Sequence, residues 1–123
     1  MTERFLEGRR ILVLEDEYLA ALDVQQMVEE LGGTVVGPAG RLEQARELAR
    51  AHSLQGAICD VKLNGHTSYP LARELLSTGV PVVFLTGYEA NSLEPEFRDV
   101  PRVTKPYDTR QMQDLLRAVF RAG

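Results

Sequence analysis

The sequence has one cysteine, no tryptophan and no long apolar run among its 123 residues. A single cysteine cannot form an intramolecular disulfide, and a chain without disulfides fits a reducing compartment. No apolar run approaches the roughly 18 residues that are needed to cross a bilayer. The first ten residues, MTERFLEGRR, carry two glutamates and no apolar core, so they do not resemble a signal peptide. These absences predict a cytoplasmic protein.

The chain also has no excess of positive charge. Its formal net charge is −4, which argues against nonspecific binding to nucleic acid or to an anionic membrane. Hydrophobic residues make up 44% and charged residues 26% of the sequence, which is an ordinary globular composition. The length suffices for one hydrophobic core. We therefore expect a single domain over 1–123, with 1–9 as a short N-terminal extension.

Short apolar runs alternate with amphipathic stretches along the chain. Five runs predict strands: ILVLE (11–15), TVVG (34–37), GAICD (56–60), VPVVFL (80–85) and RVTK (102–105). Apolar residues at helical spacing predict helices between these runs and after the last one, whereas the stretch 87–100 is ambiguous. Five strands that alternate with roughly five helices predict an α/β fold. In that fold a doubly wound parallel sheet carries helices on both faces.

Local signals mark the ends of three helices. Gly32-Gly33 is predicted to end the first helix, because glycine readily adopts the left-handed backbone that follows a helix. Thr67 or Ser68 is the candidate cap of the third helix. Asp108 with Gln111 has the spacing of a capping box at the start of the last helix.

Polar residues stand where four predicted strands end. The first strand runs into Glu15, Asp16 and Glu17, the third ends in Asp60, and the fourth and fifth lead to Thr86 and Lys105. Ligands of doubly wound sheets bind beyond the carboxyl ends of the strands. We therefore expect these side chains to converge on one edge of the sheet, whereas Glu17 on its own is typical of the first turn of a helix.

Three carboxylates in one crevice repel one another unless a positive charge intervenes. Mg²⁺ suits a site of one or two carboxylates with water, and the ammonium of Lys105 supplies a second positive charge. Thr86 adds a neutral hydroxyl donor. Phosphoryl transfer depends on positioning and on charge neutralisation, and a carboxylate such as Asp60 can itself be the nucleophile.

Four separated motifs, LEDE, CDVKLNG, FLTGY and TKPY, together resemble a response-regulator receiver domain of the CheY-like type. The resemblance covers essentially the whole chain and implies the flavodoxin-like strand order 2-1-3-4-5. It implies that Asp60 accepts a phosphoryl group. It also implies that Asp16 is a direct ligand of Mg²⁺, that Glu15 acts largely through water, and that the backbone carbonyl of Lys62 completes the protein's share of the metal site.

The same resemblance assigns roles to the last two motifs. Thr86 is expected to donate a hydrogen bond to the phosphoryl oxygen, and Lys105 is expected to pair with the phosphoryl group. The peptide bond between Lys105 and Pro106 is expected to be cis, a state that is tolerated mainly before proline.

The sequence departs from the receiver pattern in three places, of which the acidic pair, Glu15-Asp16, is a common and mild variant. Asn64 stands where the family usually has a proline before glycine. Arg102 stands where the family usually has a tyrosine or phenylalanine, three residues before Lys105. Together with FLTGY and VPRVTKPY, this resembles the stand-alone receivers that are characterised by a Phe-Ala-Thr-Gly-x-Tyr motif.

The resemblance implies a phosphoacceptor of two-component signal transduction, that is, of a phosphorelay. The expected donor is a sensor histidine kinase or a histidine phosphotransfer protein, and Mg²⁺ is the expected cofactor. Such a module catalyses only its own phosphorylation and dephosphorylation, so we do not expect a metabolic enzyme. Its expected output is contact with a downstream protein, or a role as a phosphate sink or relay, without nucleic acid or membrane.

Three other classes of protein compete with this interpretation. A flavin-binding protein of the same fold needs a phosphate-cradling first loop, but LEDEY is acidic. A dehalogenase-type phosphatase needs a second aspartate two residues after the nucleophile, where this chain has Lys62. A pseudo-receiver that binds its partner without phosphorylation remains open, although Asp60, Thr86 and Lys105 argue against it.

Other residues favour structural roles. Cys59 is typical of a small core residue, and His52 and His66 are expected at the surface. Tyr88 could belong to the core or lie over the site. The connector 87–100 contains Pro95, Asn91 and Ser92, which disfavour a regular helix, so we expect it to be marginally ordered.

Overall fold

A parallel five-stranded sheet carries helices on both faces in the computed structural model, which describes residues 3–87 and 93–120. The strands are β1 (Arg10–Leu14), β2 (Thr34–Ala39), β3 (Gly56–Asp60), β4 (Lys62–Leu63), β5 (His66–Thr67), β6 (Val82–Thr86) and β7 (Arg102–Thr104). The α-helices are α1 (Tyr18–Glu30), α2 (Leu42–Ala51), α3 (Tyr69–Ser77) and α4 (Thr109–Phe120). A single turn of 3₁₀-helix, Pro95–Phe97, lies between β6 and β7.

The order of the strands confirms the predicted topology. The sheet runs β2-β1-β3-β6-β7 with every pair parallel. Without the short β4 and β5, which pair only with each other, this is the predicted order 2-1-3-4-5. The sequence predicted roughly five helices, but the described part of the chain between β6 and β7 contains a 3₁₀ turn in place of a fifth α-helix.

The sheet separates two hydrophobic clusters because successive side chains of a strand point to opposite faces. Along β1, Ile11 and Val13 join the cluster formed with α1 and α4, whereas Leu12 and Leu14 join the cluster formed with α2 and α3. All four are completely buried, so β1 is an interior strand of the sheet that both layers of helices cover. A continuous apolar run was therefore a correct signal of a strand that is buried on both faces.

The β4–β5 hairpin was not predicted, although its turn has a clear local signal. Asn64 and Gly65 connect the two antiparallel strands with φ angles of 46° and 84°. Asn-Gly is the preferred pair for a two-residue hairpin turn in which both residues have positive φ. A proline at position 64 would fix φ near −65°, so the departure from the receiver pattern at this position fits the turn that forms.

The predicted helix ends are largely observed. α1 ends at Glu30 with Leu31 as its C-cap, and Gly32 follows with a φ of 95°. Asp108 and Gln111 form the predicted capping box, in which each side chain accepts a hydrogen bond from the backbone N–H of the other, at 2.7 and 2.9 Å. Ser68 is the residue before α3, but its buried hydroxyl makes no capping hydrogen bond to the helix.

The N-terminal segment packs on the domain. The backbone N–H of Leu6 donates to the carbonyl of Leu31 at 2.9 Å, and the side chain of Leu6 is completely buried. Arg117 of α4 lies over the ring of Phe5 and forms a salt bridge of 3.0 Å with Glu3. No helix of the described residues is long and apolar enough to cross a membrane.

The 3₁₀ turn is held against α3 by aromatic packing. The ring of Phe97, which is 1% exposed, stacks on Tyr69 at a centroid distance of 4.6 Å and meets the edge of Phe84 at 5.6 Å. Glu96 accepts two hydrogen bonds from the guanidinium of Arg73. The expectation of a marginally ordered connector does not fit this packing around Phe97. Residues 88–92, including Tyr88, lie outside the described residues.

We predict that Phe97→Ala lowers the free energy of unfolding by about 3–5 kcal/mol, because it leaves a cavity among three packed rings. Urea denaturation followed by circular dichroism measures this change. The matched control is Leu19→Ala, since Leu19 is 69% exposed on α1 and its truncation is expected to cost within about 0.5 kcal/mol. Equal effects of the two substitutions would show that the 3₁₀ turn does not belong to the core.

Candidate functional site

The predicted site residues lie together at the carboxyl edge of the sheet. Asp60 is the last residue of β3, and Thr86 is the last residue of β6. Glu15 directly follows β1 and Lys105 directly follows β7. The parallel pairing of these strands brings their ends together, although they are up to 90 residues apart in the sequence.

Lys105 bridges two of the carboxylates. Its Nζ lies 2.6 Å from Oε2 of Glu15 and 3.1 Å from Oδ2 of Asp60. The side chains of Glu15 and Asp60 are 1% and 13% exposed, so the ammonium compensates two charges that are largely withdrawn from water. The peptide bond between Lys105 and Pro106 is cis, as predicted. A second cis bond, between Gly37 and Pro38, was not predicted.

Glu15 is fixed by its surroundings on both carboxylate oxygens. Oε2 accepts from Lys105, and Oε1 accepts from the backbone N–H of Glu17 at 3.0 Å. Asp16 differs because it is exposed. Glu17 is the N-cap of α1, where its carboxylate accepts from the N–H groups of Leu19 and Ala20. Glu17 therefore has a structural role at the start of α1, as expected. It is the N-cap, one position before the first turn.

Glu15, Asp16 and Asp60 form an acidic group whose ligand oxygens lie within 4.8 Å of one another. Carboxylate oxygens are the ligands that Mg²⁺ and Ca²⁺ prefer. Because Asp16 is exposed while both oxygens of Glu15 already accept hydrogen bonds, the arrangement fits a cation held directly by Asp16 and Asp60. This acidic group is compatible with the metal site of receiver domains.

Burial and charge shift the proton equilibria of the site. Burial, together with the charge of Glu15, raises the pKa of Asp60 to about 7, although Lys105 opposes the shift. Burial alone would lower the pKa of Lys105, but its hydrogen bond to Glu15 and the charge of Asp60 raise it. The raised pKa of Lys105 keeps its ammonium charged, whereas the raised pKa of Asp60 favours the protonated form of its carboxyl group.

The hydroxyl of Thr86 is directed to β7. Thr86 is 3% exposed, and its Oγ1 lies 3.4 Å from the carbonyl oxygen of Val103 and 3.4 Å from Oγ1 of Thr104. The backbone oxygen of Thr86 accepts from the N–H of Lys105 at 2.7 Å. Thr104 was missed by the sequence analysis, although its place one residue before Lys105 makes it the partner of Thr86 in the parallel register.

A cavity of about 560 Å³ opens beside Asp60. Its polar lining includes Asp60, Lys62, Tyr69, Thr86, Glu94 and Lys105. Tyr69 and Glu94 were not predicted as site residues. They meet only through the tertiary structure, in which the backbone N–H of Glu94 donates to the hydroxyl of Tyr69 at 3.3 Å. Lys62 also lines the cavity, and the role of its carbonyl as a metal ligand stays a prediction.

Cys59 and Arg102 lie near the site, and their surroundings give each of them a structural role. Cys59 is completely buried, and burial together with the charge of Asp60 raises the pKa of its thiol to about 12, so the thiolate does not form near neutral pH. Arg102 is partly buried, and its guanidinium donates to the backbone carbonyl of Arg98. A guanidinium that is partly withdrawn from water needs a hydrogen-bond partner, and the carbonyl of Arg98 provides it.

Comparisons with known proteins identify relatives along most of the chain, although no profile of a known protein family matches it. The solved structure of SdrG from Sphingomonas melonis Fr1 is 33% identical, covers 90% of this chain and 95% of SdrG, and superposes with a TM-score of 0.80. The transcriptional regulatory protein PdtaR of Mycobacterium tuberculosis is 33% identical over 112 residues. That match covers 90% of this chain and 55% of PdtaR, so the chain spans about half the length of this relative.

A further solved structure gives the fold alone. The CheY-like response-regulator receiver domain from Methylobacillus flagellatus is 19% identical and superposes with a TM-score of 0.77, covering 90% of this chain and 98% of that domain. Fold and site thus define a doubly wound α/β domain with an acidic group and a lysine at the carboxyl edge of its sheet. Within that class, the chain belongs to the response-regulator receiver domains, the family of two-component signalling.

We predict that Asp60→Asn stabilises the domain at pH 8 by more than about 1 kcal/mol in metal-free buffer, and that this gain shrinks as the pH falls toward 4. The carboxyl of Asp60 has a pKa of about 7 in the folded state, above its ordinary value of 3.8. Between these values the folded state keeps a proton that the unfolded state has released, so the wild type loses stability as the pH rises. Asparagine does not titrate and escapes this loss.

Urea denaturation at several pH values between 4 and 8, with a chelator present, measures the difference. The matched control is Asp99→Asn, the same substitution at an exposed aspartate. A gain from Asp60→Asn that decreased with rising pH would show that Lys105 outweighs burial and Glu15 in setting the pKa of Asp60.

Proposed function

We propose that this receiver domain accepts a phosphoryl group on Asp60 in a Mg²⁺-dependent reaction. The donor is a phosphohistidine of a sensor histidine kinase or of a histidine phosphotransfer protein. The observation that supports the proposal best is the position of the Asp60 carboxylate, which lines an open cavity 3.1 Å from the ammonium of Lys105. A nucleophile, a fixed positive charge and access for a donor thus occur together.

The proposed transfer forms one bond and breaks one. A carboxylate oxygen of Asp60 attacks the phosphorus of the donor, and the bond from phosphorus to the donor's nitrogen breaks. The donor imidazole keeps the electron pair of that bond. Attack of water on the phosphorus later restores the Asp60 carboxylate and releases inorganic phosphate. The domain would thus catalyse only its own phosphorylation and dephosphorylation, without a metabolic substrate.

Charge neutralisation decides whether Asp60 can react. Only the ionised carboxylate is a nucleophile, but burial and Glu15 favour its protonated form. A Mg²⁺ ion would be held by Asp16 and Asp60, by Glu15 through water and by the carbonyl of Lys62. When bound, it would favour the ionised carboxylate and offset the charge of the phosphoryl oxygens. Lys105 lies within reach of the same oxygens and would exchange part of its contact with Glu15 for the phosphoryl group.

Thr86 would then be the residue that responds to phosphorylation. Thr86 lines the same cavity as Asp60, and its hydroxyl could donate to a phosphoryl oxygen after it leaves β7. The output is contact with a downstream protein, or transfer of the phosphoryl group in a relay or to a sink. A domain that signalled without phosphorylation is the alternative that the following experiments can reveal.

We predict that incubation with phosphoramidate and Mg²⁺ adds one phosphoryl group to the wild-type chain and none to Asp60→Asn, because the amide is not a nucleophile of comparable strength. Intact-mass spectrometry measures the adduct. Asp99→Asn is the matched control and is expected to accept the group as the wild type does. An adduct that persists in Asp60→Asn would place the nucleophile elsewhere, and no adduct on the wild type would favour a pseudo-receiver.

We predict that Asp16→Ala weakens Mg²⁺ binding at least about tenfold, because it removes a direct carboxylate ligand. The apo domain should remain folded and at least as stable, since one of three clustered carboxylates is gone. Calorimetric titration with Mg²⁺ measures the affinity. The control is Glu17→Gln, which removes a neighbouring negative charge and keeps an oxygen for the N-cap of α1. Equal losses in both variants would show a general effect of charge in place of ligation by Asp16.

A further inference from the structure

Thr86 has a defined resting partner on the neighbouring strand. The register of β6 and β7 pairs Thr86 with Thr104, and their hydroxyl oxygens lie 3.4 Å apart. The second contact of the Thr86 hydroxyl is the carbonyl oxygen of Val103, also at 3.4 Å. Thr86 also lines the cavity beside Asp60, so a change of its side-chain rotamer can exchange the partners on β7 for an acceptor in that cavity.

The resting contacts are long, since hydrogen bonds between oxygen atoms are usually about 2.7–2.8 Å. They therefore hold the Thr86 hydroxyl only weakly on β7. A phosphoryl oxygen on Asp60 is a charged acceptor, and hydrogen bonds to charged groups are stronger than those between neutral groups. The strength of the resting contacts consequently sets how readily Thr86 moves from β7 to the phosphoryl group.

Arg102 does not fill the same role. It stands at the β7 position where receivers usually have an aromatic residue that moves together with the threonine, but its guanidinium is engaged with the carbonyl of Arg98. Thr104, two residues further along β7, is the side chain of this strand that contacts the Thr86 hydroxyl. The contact between the Thr86 side chain and a side chain of β7 is thus a pair of hydroxyl groups.

We infer that Thr104 is a positioning residue that holds the Thr86 hydroxyl in its resting place on β7 and thereby opposes its transfer to a phosphoryl group on Asp60. The second half of this inference rests on the proposed function, whereas the restraint of Thr86 by Thr104 does not. Because Thr104 is exposed, its hydroxyl can be removed with little effect on the core.

Thr104→Val and Thr104→Ser separate the hydroxyl from the shape of the side chain. Valine keeps the β-branched shape that favours a strand and lacks the hydroxyl, whereas serine keeps the hydroxyl. Three-bond NMR couplings to the Thr86 methyl carbon report its χ1 rotamer in the unphosphorylated protein. We expect one dominant rotamer in the wild type and in Thr104→Ser, and an increased share of a second rotamer in Thr104→Val.

Beryllofluoride mimics a phosphoryl group on a carboxylate. Its binding tests whether Thr104 opposes the transfer of the Thr86 hydroxyl to a phosphoryl group on Asp60. In the presence of Mg²⁺, Thr104→Val should bind it about two- to fivefold more tightly than the wild type, because one weak resting hydrogen bond no longer competes. Thr104→Ser should match the wild type. Arg102→Lys, which keeps the charge at the other β7 position, should match it too.

The outcomes distinguish the two levels of the inference. Unchanged rotamers and unchanged affinity in Thr104→Val would overturn the role of Thr104. Equal changes in Thr104→Val and Thr104→Ser would also overturn it, because the hydroxyl would then be irrelevant. A rotamer shift in a protein that does not bind beryllofluoride would uphold the restraint of Thr86 and contradict phosphorylation at Asp60.

Discussion

The contact of the Lys105 ammonium with the Glu15 and Asp60 carboxylates is the interaction on which the site depends. Two negative charges that are almost withdrawn from water would destabilise each other and the fold without a positive partner. Lys105 provides it from the end of β7, on the opposite side of β3 from β1. Even so, burial and Glu15 keep the pKa of Asp60 near 7. The site is thus only partly neutralised, which is the condition under which an added cation or a phosphoryl group can change it.

The architecture of the sheet explains how the fold tolerates these partly neutralised carboxylates. Its central strands are buried on both faces, and the polar groups are confined to one edge, where water reaches Asp16 and the cavity beside Asp60. The Asn64-Gly65 hairpin follows Asp60 almost directly and turns the chain back toward α3. Through Tyr69 at the start of α3, the cavity is connected with the aromatic stack that holds the 3₁₀ turn. The cavity beside Asp60 is therefore bordered by a residue that also packs against the turn.

The coupling between β6 and β7 differs from the pattern suggested by the receiver resemblance. An aromatic residue at position 102 would fill space beside the threonine, whereas Arg102 is tied to the carbonyl of Arg98. Apart from the backbone pairing of the two strands, Thr86 is linked to β7 by its hydroxyl contacts with Thr104 and with the carbonyl of Val103. The side-chain contacts of Thr86 with β7 are thus weak and polar, without the aromatic ring that receivers usually have on this strand.

The sequence by itself determined the α/β architecture, because a continuous apolar run such as ILVLE is buried on both faces and because each predicted strand ends where its polar residues begin. It also determined which residues meet at the site, since parallel strands bring Asp60 and Lys105 to one edge. Only the tertiary structure decided the direction of the Thr86 hydroxyl, its contact with Thr104 and the packing of the segment around Phe97. These three features depend on strand register and on aromatic contacts between residues that are distant in sequence. The local periodicity of apolar residues predicts neither the register nor such contacts.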